Sequence, residues 1–338
     1  MYVNQIFELS MTLDNEKFQK VLNKAYRRTD YLEENENEYI DRSLSSKGIT
    51  AVFRDSQYKK KIKLIVDSRL ITDGKKSDPD RLIRKLDKHM NVYFDCKYRL
   101  NDFVLSGAVL DVNIDVHDHE NVSAYLKVLR RIGKVKGYSP ADYDCFEEVD
   151  SFCLEGNSND TAFWLYDLEG FLMHQLHNED IDQKKLKSIC GDAKGIICAE
   201  VRLMKPKAVR ACTKGDDISN QIVELIDKRQ EIFLDVFTHI VPFGDYYKKV
   251  RAEELIYKNV TDSVLRRRML RLLALIPEKK SLYLAQKAMN CRDIEKVMEG
   301  FAKINLSPIT INKRYGVKYL KNLYLPILEG IKVRNKSF

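Results

Sequence analysis

The stretch Gly107–Glu120, GAVLDVNIDVHDHE, constrains the fold more than any other part of the chain, because apolar and polar side chains alternate along it. Successive side chains of an extended strand point to opposite faces of a sheet. The apolar members, which need a hydrophobic core, are Leu110, Val112, Ile114 and Val116. The polar members, which share the other face, are Asp111, Asn113, Asp115 and His117. Such a face suits solvent or a cation, so a wet strand face and a divalent-metal or phosphodiester site are both open.

The size and composition of the chain are those of an ordinary soluble protein. Its 338 residues are 44% hydrophobic and 32% charged, which is enough to bury a core in about two or three domains. No apolar run approaches the ~20 residues of a membrane span. The first residues, MYVNQIFELS, lack the basic start and small-residue cleavage site of a signal peptide. The sequence therefore predicts a cytoplasmic protein without a membrane partner.

The seven cysteines form no CxxC pair. Structural zinc sites and disulfide frameworks use paired cysteines at short, regular spacings. We therefore expect reduced thiols.

Positive charge is concentrated in the last third of the chain. From Val241 onward, 21 Lys and Arg residues face 9 Asp and Glu residues, whereas the preceding residues carry 37 against 41. A basic module joined to a slightly acidic body is typical of a nucleic-acid partner, although a solvated basic surface has the same composition.

The first 120 residues predict a β-α-β-β-α-β order of elements. An opening strand leads into a helix capped by Asp14, and Glu33–Glu38 has the composition of an exposed acidic loop. Ile49–Phe53 and Lys61–Val66 have the pattern of a β-hairpin, and Asp78 followed by Pro79 begins a second helix. The pattern predicts an α+β fold in which helices cover one face of an antiparallel sheet.

Two later segments also have the pattern of strands. In the first, Ala162, Trp164 and Tyr166 share a face; in the second, Lys194–Leu203, Glu200 stands among apolar residues. Acidic residues are rarely buried unless they are paired or bind a metal ion. Glu200 is therefore predicted to pair with Arg or Lys, or to be functional.

Beyond Ile218 nearly every segment has helical periodicity, which predicts an all-helical basic region. We expect an α+β catalytic domain over residues 1–215 and a helical domain over 216–338. Two short helices joined at Asn290–Arg292 and followed by Ser307–Pro308 are compatible with a helix-turn-helix or a winged variant. The basic residues predicted to bind DNA are Arg266, Arg267, Arg268, Arg271, Lys313 and Arg314.

Asp111, Asp115, Tyr166 and Glu200 come from three predicted strands and have the chemistry of a phosphodiester site. Carboxylates suit Mg²⁺ or Mn²⁺, which neutralise the charge that develops in displacement at phosphorus. A tyrosine phenolate can attack phosphorus and retain the product as a covalent ester. The residues alone leave this assignment open.

Three runs in this order resemble the Rep-trans type of rolling-circle replication initiator and its phage and mobile-element relatives. They are LNDFVLSGAVLDVNIDV, GNSNDTAFWLYDLEGFL and GIICAEVRL, within residues 85–210. The resemblance implies a Rep nicking-enzyme-like fold and a plasmid, phage or integrative-element protein that nicks one strand of partly single-stranded origin DNA. It also implies Mg²⁺ or Mn²⁺ as cofactor, a homodimer, and a host helicase as partner.

Carried over by residue, the resemblance makes Tyr166 the nucleophile and Asp111, Asp115 and Glu200 metal ligands. His117, beside Asp118 and His119, is a weaker metal candidate or a surface histidine in a turn. The chain departs from the family pattern at two places: Ala108–Leu110 stand where an arginine is usual, and Leu168 replaces a lysine.

These departures motivate an alternative: a catalytically inactive descendant that binds DNA or another protein. A metal nuclease that leaves free 5′ phosphates is a third interpretation.

Overall fold

The structure is a computed structural model that describes residues 4–28, 32–72, 78–116, 119–176 and 191–328. The described strands are β1 (Asn4–Leu13), β2 (Leu32–Asn35), β3 (Glu38–Asp41), β4 (Ile49–Asp55), β5 (Lys60–Asp67), β6 (Val104–Asp115), β7 (Tyr138–Pro140), β8 (Ser151–Gly156), β9 (Thr161–Asp167), β10 (Ile196–Leu203), β11 (Tyr246–Tyr247) and β12 (Tyr319–Leu320). The described α-helices are α1 (Asn15–Arg28), α2 (Ser68–Ile71), α3 (Pro79–Tyr93), α4 (His119–Leu129), α5 (Leu168–Leu176), α6 (Pro206–Cys212), α7 (Ile218–Ile240), α8 (Lys249–Asn259), α9 (Ser263–Lys279), α10 (Leu282–Met289) and α11 (Ile294–Lys303).

The first ten strands form one sheet in the order β2-β3-β4-β5-β1-β6-β10-β9-β8-β7, and β11 pairs with β12 separately. The pairings of β1 with β5 and β6, of β4 with β3 and β5, and of β8 with β7 and β9 are antiparallel. The predicted α+β class with a large antiparallel sheet is confirmed. Strands β6, β10 and β9, which carry the three motif runs, are consecutive in this order.

The chain divides into two compact units. The first unit comprises Val3–Asp111 and Arg202–Phe233, and the second comprises Met1–Tyr2, Val112–Val201 and Leu234–Phe338. The division falls inside α7, whose early residues Ile218 and Ile222 belong to the core of the first unit. The boundaries between the two units differ from the predicted domain boundary at residue 215. Two separately folding domains that meet at residue 215 stay a prediction.

The core of the first unit forms between its strands and its amphipathic helices. Phe7 and Leu9 of β1, Phe18 of α1 and Leu86 of α3 are all fully buried in one cluster. The predicted caps are confirmed: Asp14 accepts a hydrogen bond from the Lys17 amide, and Asp78 accepts from the amides of Asp80 and Arg81. These carboxylates satisfy amides that have no partner within the first helical turn.

A β-hairpin stands where the sequence predicted an acidic loop. Strands β2 and β3 pair with each other, and β3 pairs with β4, so the first unit has two more strands than expected. The acidic side chains are neutralised by arginines of the same sheet, because Arg42 donates to Glu33 and Arg54 donates to Glu38. The predicted hairpin of β4 and β5 is confirmed.

The end of the second unit was predicted to be all-helical, but it also contains a short strand. The segment from Val317 to Leu328 was expected to be one helix, but Tyr319–Leu320 forms β12 against β11. Buried Asp245 explains this difference, because it accepts hydrogen bonds from the Tyr319 hydroxyl and the Asn322 amide and so holds residues 319–322 outside a helix, whereas residues 324–328 are helical as predicted.

The helices α9, α10 and α11 of the second unit have clear local signals. Asp262 and Ser281 cap α9 and α10 through backbone amides, and Asn290 ends α10 in the left-handed conformation with φ of 46°. Gly300 lets α11 approach α9, since a Cβ there would lie 3.1 Å from Sδ of Met269. The helix pair joined near Asn290 is therefore present as predicted.

Candidate active site and nucleic-acid interface

Tyr166 and Glu200 meet within the sheet of the second unit. Tyr166 lies on β9 and Glu200 on the neighbouring strand β10. The Tyr166 hydroxyl donates a hydrogen bond to Oε1 of Glu200 over 2.6 Å. Both residues are buried, with exposed fractions of 4% and 7%. Glu200 is therefore buried with Tyr166 as a hydrogen-bond partner; the pairing with Arg or Lys, or the functional role, stays a prediction.

Aromatic rings surround the Tyr166 side chain. The ring centroids of Phe146 and Phe171 each lie 4.9 Å from that of Tyr166, and Trp164 belongs to the same buried cluster. Burial raises the pKa of the Tyr166 phenol far above its usual range, and the neighbouring Cys198 and Glu200 raise it further. The phenol is therefore protonated at neutral pH in this conformation, because its anion would be poorly solvated.

Leu168 contributes to the apolar packing beside this pair. It begins α5, where the family pattern has a lysine, and it packs with Phe171 against the aromatic cluster. A lysine near the tyrosine would lower the pKa of the phenol or hold a phosphate. Leucine can do neither, so this departure from the motif changes the chemistry of the site.

The carboxylates of β6 behave as strand alternation predicts. Leu110, Val112 and Ile114 are buried, Asp111 is half-buried and Asp115 is exposed. In the second unit, the Val116 amide donates to the Gly195 carbonyl over 2.9 Å, which places Asp115 beside the start of β10. Glu200 stands four residues beyond Ile196, the first residue of that strand, or about 13 Å away at ~3.3 Å per residue. Asp115 and Glu200 are thus too far apart to bind one ion directly.

The ligands predicted for Mg²⁺ or Mn²⁺ are not assembled in the described residues. Across residues 4–28, 32–72, 78–116, 119–176 and 191–328, no group of three or more His, Cys, Asp or Glu residues could hold a metal ion. His117 lies outside the described residues. Mg²⁺ or Mn²⁺ binding stays a prediction, and we assign no reaction step to a metal ion.

Four of the six predicted DNA-binding side chains are exposed. Arg267 and Arg271 lie one turn apart on the solvent face of α9, and Lys313 and Arg314 lie on an exposed loop before β12. The other two have partners within the protein. Arg266 donates to the Val260 carbonyl, and Arg268 forms an ion pair with Asp293 at 3.3 Å.

Buried Asp245 anchors the exposed basic loop, residues 312–318. Its carboxylate accepts hydrogen bonds from the Asn305 side chain, the Tyr319 hydroxyl and the Asn322 amide, at 2.8–3.1 Å. Asn305 and Tyr319 flank the loop in sequence, so one buried carboxylate fixes the segments on both sides of it. Lys318 adds a further exposed cation to the loop.

The sequence prediction missed Lys318 and Asp245. The sequence does contain a signal for Lys318, since the stretch from Gly300 to Leu328 has five basic residues and no acidic one. No local pattern could identify Asp245, because its hydrogen-bond partners lie 60 to 77 residues away along the chain.

Helix α11 is the second helix of the pair that the sequence predicts as compatible with a helix-turn-helix, but its surface is mixed in charge. Its exposed charged residues are Glu295, Lys296, Glu299 and Lys303. Two carboxylates would repel DNA phosphates as strongly as the two lysines attract them. Net positive charge is therefore greater on α9 and on the basic loop than on α11.

None of the described helices is long and apolar enough to cross a membrane.

The chain has few detectable similarities to known proteins. No protein-family profile matches the sequence, and no curated protein matches it. Among solved structures, it is similar to that of a rolling circle replication initiator protein from Geobacillus stearothermophilus, with 10% sequence identity and a TM-score of 0.34. The similarity covers 71% of this chain and 84% of that chain. At this level of similarity the function has to be argued from the chain's own residues.

Proposed function

We propose that this protein binds DNA as a replication initiator of the rolling-circle type. The observation that carries the proposal is the exposed basic surface of the second unit, formed by Arg267 and Arg271 on α9 and by the basic loop 312–318. The Rep-trans-like order of motifs in the sheet supplies the link to replication.

Phosphate binding by this surface follows from its charge and exposure. Arginine and lysine neutralise phosphates and release condensed counterions, so the affinity of such a surface falls steeply with salt. The side chains of Arg267, Arg271, Lys313 and Arg314 are exposed. Arg266 and Arg268 instead have partners within the protein, since Arg266 donates to the Val260 carbonyl and Arg268 pairs with Asp293, which precedes α11.

Fluorescence anisotropy over a range of KCl concentrations tests the binding surface, with a mixed-sequence duplex and its separated single strand as probes. We expect the double variant Arg267→Ala/Arg271→Ala to bind at least about tenfold more weakly and to lose roughly 0.9 from the salt slope per phosphate contact removed. Lys313→Ala/Arg314→Ala should behave similarly.

Arg268→Ala is the matched control, because it removes the same charge from the same helix but from a side chain paired with Asp293. Its DNA affinity should change much less. The single variant Arg267→Ala, which also removes one charge, is measured beside it. Equal losses for Arg268→Ala and Arg267→Ala would show that net charge, rather than this surface, determines binding. Unchanged affinity in both double variants would refute the proposal.

Strand nicking through Tyr166 is a second candidate function, favoured by the 2.6 Å hydrogen bond to Glu200. Glu200 would accept the phenol proton while the Tyr166 oxygen attacks phosphorus. The bond from phosphorus to the 3′ oxygen would break, the 3′ oxygen would take up a proton, and the 5′ phosphate would remain on the tyrosine. Because Tyr166 is buried among aromatic rings, the described conformation favours binding over cleavage.

Incubation with pooled random-sequence single strands and Mn²⁺ or Mg²⁺ tests the nicking candidate. Cleavage by Tyr166 predicts a covalent protein–DNA adduct that disappears in Tyr166→Phe. An adduct that survives this substitution would exclude Tyr166 as the nucleophile. DNA binding without an adduct supports the inactive descendant, whereas cleaved strands with free 5′ phosphates indicate a metal nuclease.

The metal ligands, the homodimer, the host helicase and the cytoplasmic location stay predictions from the motif resemblance and the composition.

A further inference from the structure

A cavity of about 260 Å³ lies in the first unit, between α1 and the end of α3. Four lysines and three aromatic residues dominate its lining. They are Lys17, Lys20, Lys24, Lys97, Tyr93, Phe94 and Tyr98. None of these residues belongs to the three motif runs or to the basic surface of the second unit.

Helix α1 supplies the cationic wall of this cavity. Lys17, Lys20 and Lys24 recur at spacings of three and four residues, which places them on one side of the helix. Val21 and Ala25 lie next to them on the helix surface and also line the cavity. This side of the cavity therefore combines the ammonium groups of three lysines with two apolar side chains.

The opposite wall is aromatic and follows the end of α3. Asp95 and Cys96 both have positive φ, at 51° and 58°, so the chain reverses there and brings Lys97 and Tyr98 to the cavity. The rings of Phe94 and Tyr98 pack edge to face with centroids 5.7 Å apart. The Tyr98 ring on this side can pack against a planar ring of a ligand, next to the Tyr98 hydroxyl.

The electrostatics of the cavity favour an anion. Asp95 is its single acidic lining residue, and it pairs with Lys24. Asp14 and Glu16 pair with Lys17 and Lys20 from outside the lining and raise their pKa values, and the nearby Tyr98 hydroxyl adds to this. Both of these ion pairs are largely exposed, so they are weak enough for a phosphate to compete with them. Lys97 is exposed and has no ion pair among the residues that the structure describes.

We propose that this cavity binds a single nucleoside 5′-monophosphate, with its phosphate on the lysines and its base against Tyr98, which is half-buried and is held by buried Phe94 behind it. Four lysines against three paired carboxylates leave a net positive charge, which disfavours a cation, and an uncharged apolar ligand would give Lys97 no counter-charge. The volume lies just below the ~300–1,000 Å³ typical of small-molecule sites, which suits one nucleotide rather than a longer strand. Base stacking on aromatic side chains tolerates any base, so we expect little preference among the four nucleotides.

Isothermal titration calorimetry of the full chain tests this site with adenosine 5′-monophosphate, adenosine and inorganic phosphate as probes. We expect the nucleotide to bind at least tenfold more tightly than either of its parts. Lys20→Ala/Lys97→Ala should weaken nucleotide binding at least tenfold. Tyr98→Ala should reduce nucleotide affinity toward that of inorganic phosphate.

Lys59→Ala is the control, since Lys59 is an exposed lysine of the same unit outside the cavity lining. It should bind the nucleotide as the unmodified protein does, and circular dichroism melts check that all variants fold. Equal affinity for phosphate and nucleotide, no binding of either, or an equal loss in Lys59→Ala would overturn the proposal. A short oligothymidylate that bound more tightly than the mononucleotide, and lost this binding in Lys20→Ala/Lys97→Ala, would identify a single-strand site. That result would also overturn the proposal.

Discussion

At the scale of residues, the hydrogen bond between Tyr166 and Glu200 explains how an acidic side chain can occupy an apolar strand. A buried carboxylate needs a donor, and the Tyr166 hydroxyl supplies one at 2.6 Å. The sequence indicated that Glu200 required a special role, because its strand is otherwise apolar. It could not identify the partner, since 34 residues separate the two and only the strand order brings them together.

Replacing Tyr166 by phenylalanine should destabilise the protein by about 1–3 kcal/mol, because Glu200 would lose a buried donor while the aromatic packing is retained. Urea denaturation at neutral pH measures this change in the free energy of unfolding. Glu200→Gln keeps an oxygen that can accept the hydrogen bond, so it should cost less. A Tyr166→Phe variant as stable as the unmodified protein would mean that this hydrogen bond contributes little.

At the scale of elements, local signals were sufficient where a segment's structure depends on its own residues. The carboxylate caps of α1 and α3 and the hairpin of β4 and β5 were predicted from short patterns. The β2–β3 hairpin was missed because it forms by pairing with β4, and its glutamates look like a loop until Arg42 and Arg54 are placed beside them. The β12 segment was missed for the same reason, because Asp245 determines its structure from far away in the sequence.

Asp245→Ala should loosen the basic loop and lower stability by about 2–4 kcal/mol, because three donors would lose their buried acceptor. We also expect weaker DNA binding, with a reduced salt slope, since Lys313, Arg314 and Lys318 would no longer be held in place. Thermal denaturation and the anisotropy assay measure the two effects.

Asp293→Ala is the control for charge removal, because its exposed ion pair with Arg268 contributes less than about 1 kcal/mol. If Asp245→Ala lost much stability but bound DNA with unchanged affinity, the basic loop would not be part of the DNA-binding surface.

At the scale of the whole molecule, average charge is a poor guide to where ligands bind. The slight negative balance of the first 240 residues conceals a cavity lined by four lysines in the first unit. Conversely, the strongly basic last third uses some of its cations internally, as the partners of Arg266 and Arg268 show. The composition places the positive charge in the last third of the chain, but only the burial and partners of each side chain show which cations are available.

Among its described residues, the second unit also contains four buried tyrosines, whose exposed fractions are all below 8%: Tyr125, Tyr166, Tyr246 and Tyr324. Burial is the main cause that raises the pKa of each phenol above its usual value of 10.0. In the unfolded chain these phenols would ionise near pH 10, whereas in the folded chain they keep their protons to higher pH.

Stability should therefore be unaffected by these groups below about pH 10 and should fall as pH rises above it, because the unfolded state then binds fewer protons. Each phenol contributes a slope of up to about 1.4 kcal/mol per pH unit. Urea denaturation at a series of pH values from neutral to strongly alkaline measures this slope. Tyr166→Phe should show a shallower decline than the unmodified protein, because one of the four phenols is absent. A parallel decline in both proteins would mean that Tyr166 ionises as readily in the folded chain as in the unfolded one, which its burial against Phe146 and Phe171 makes unfavourable.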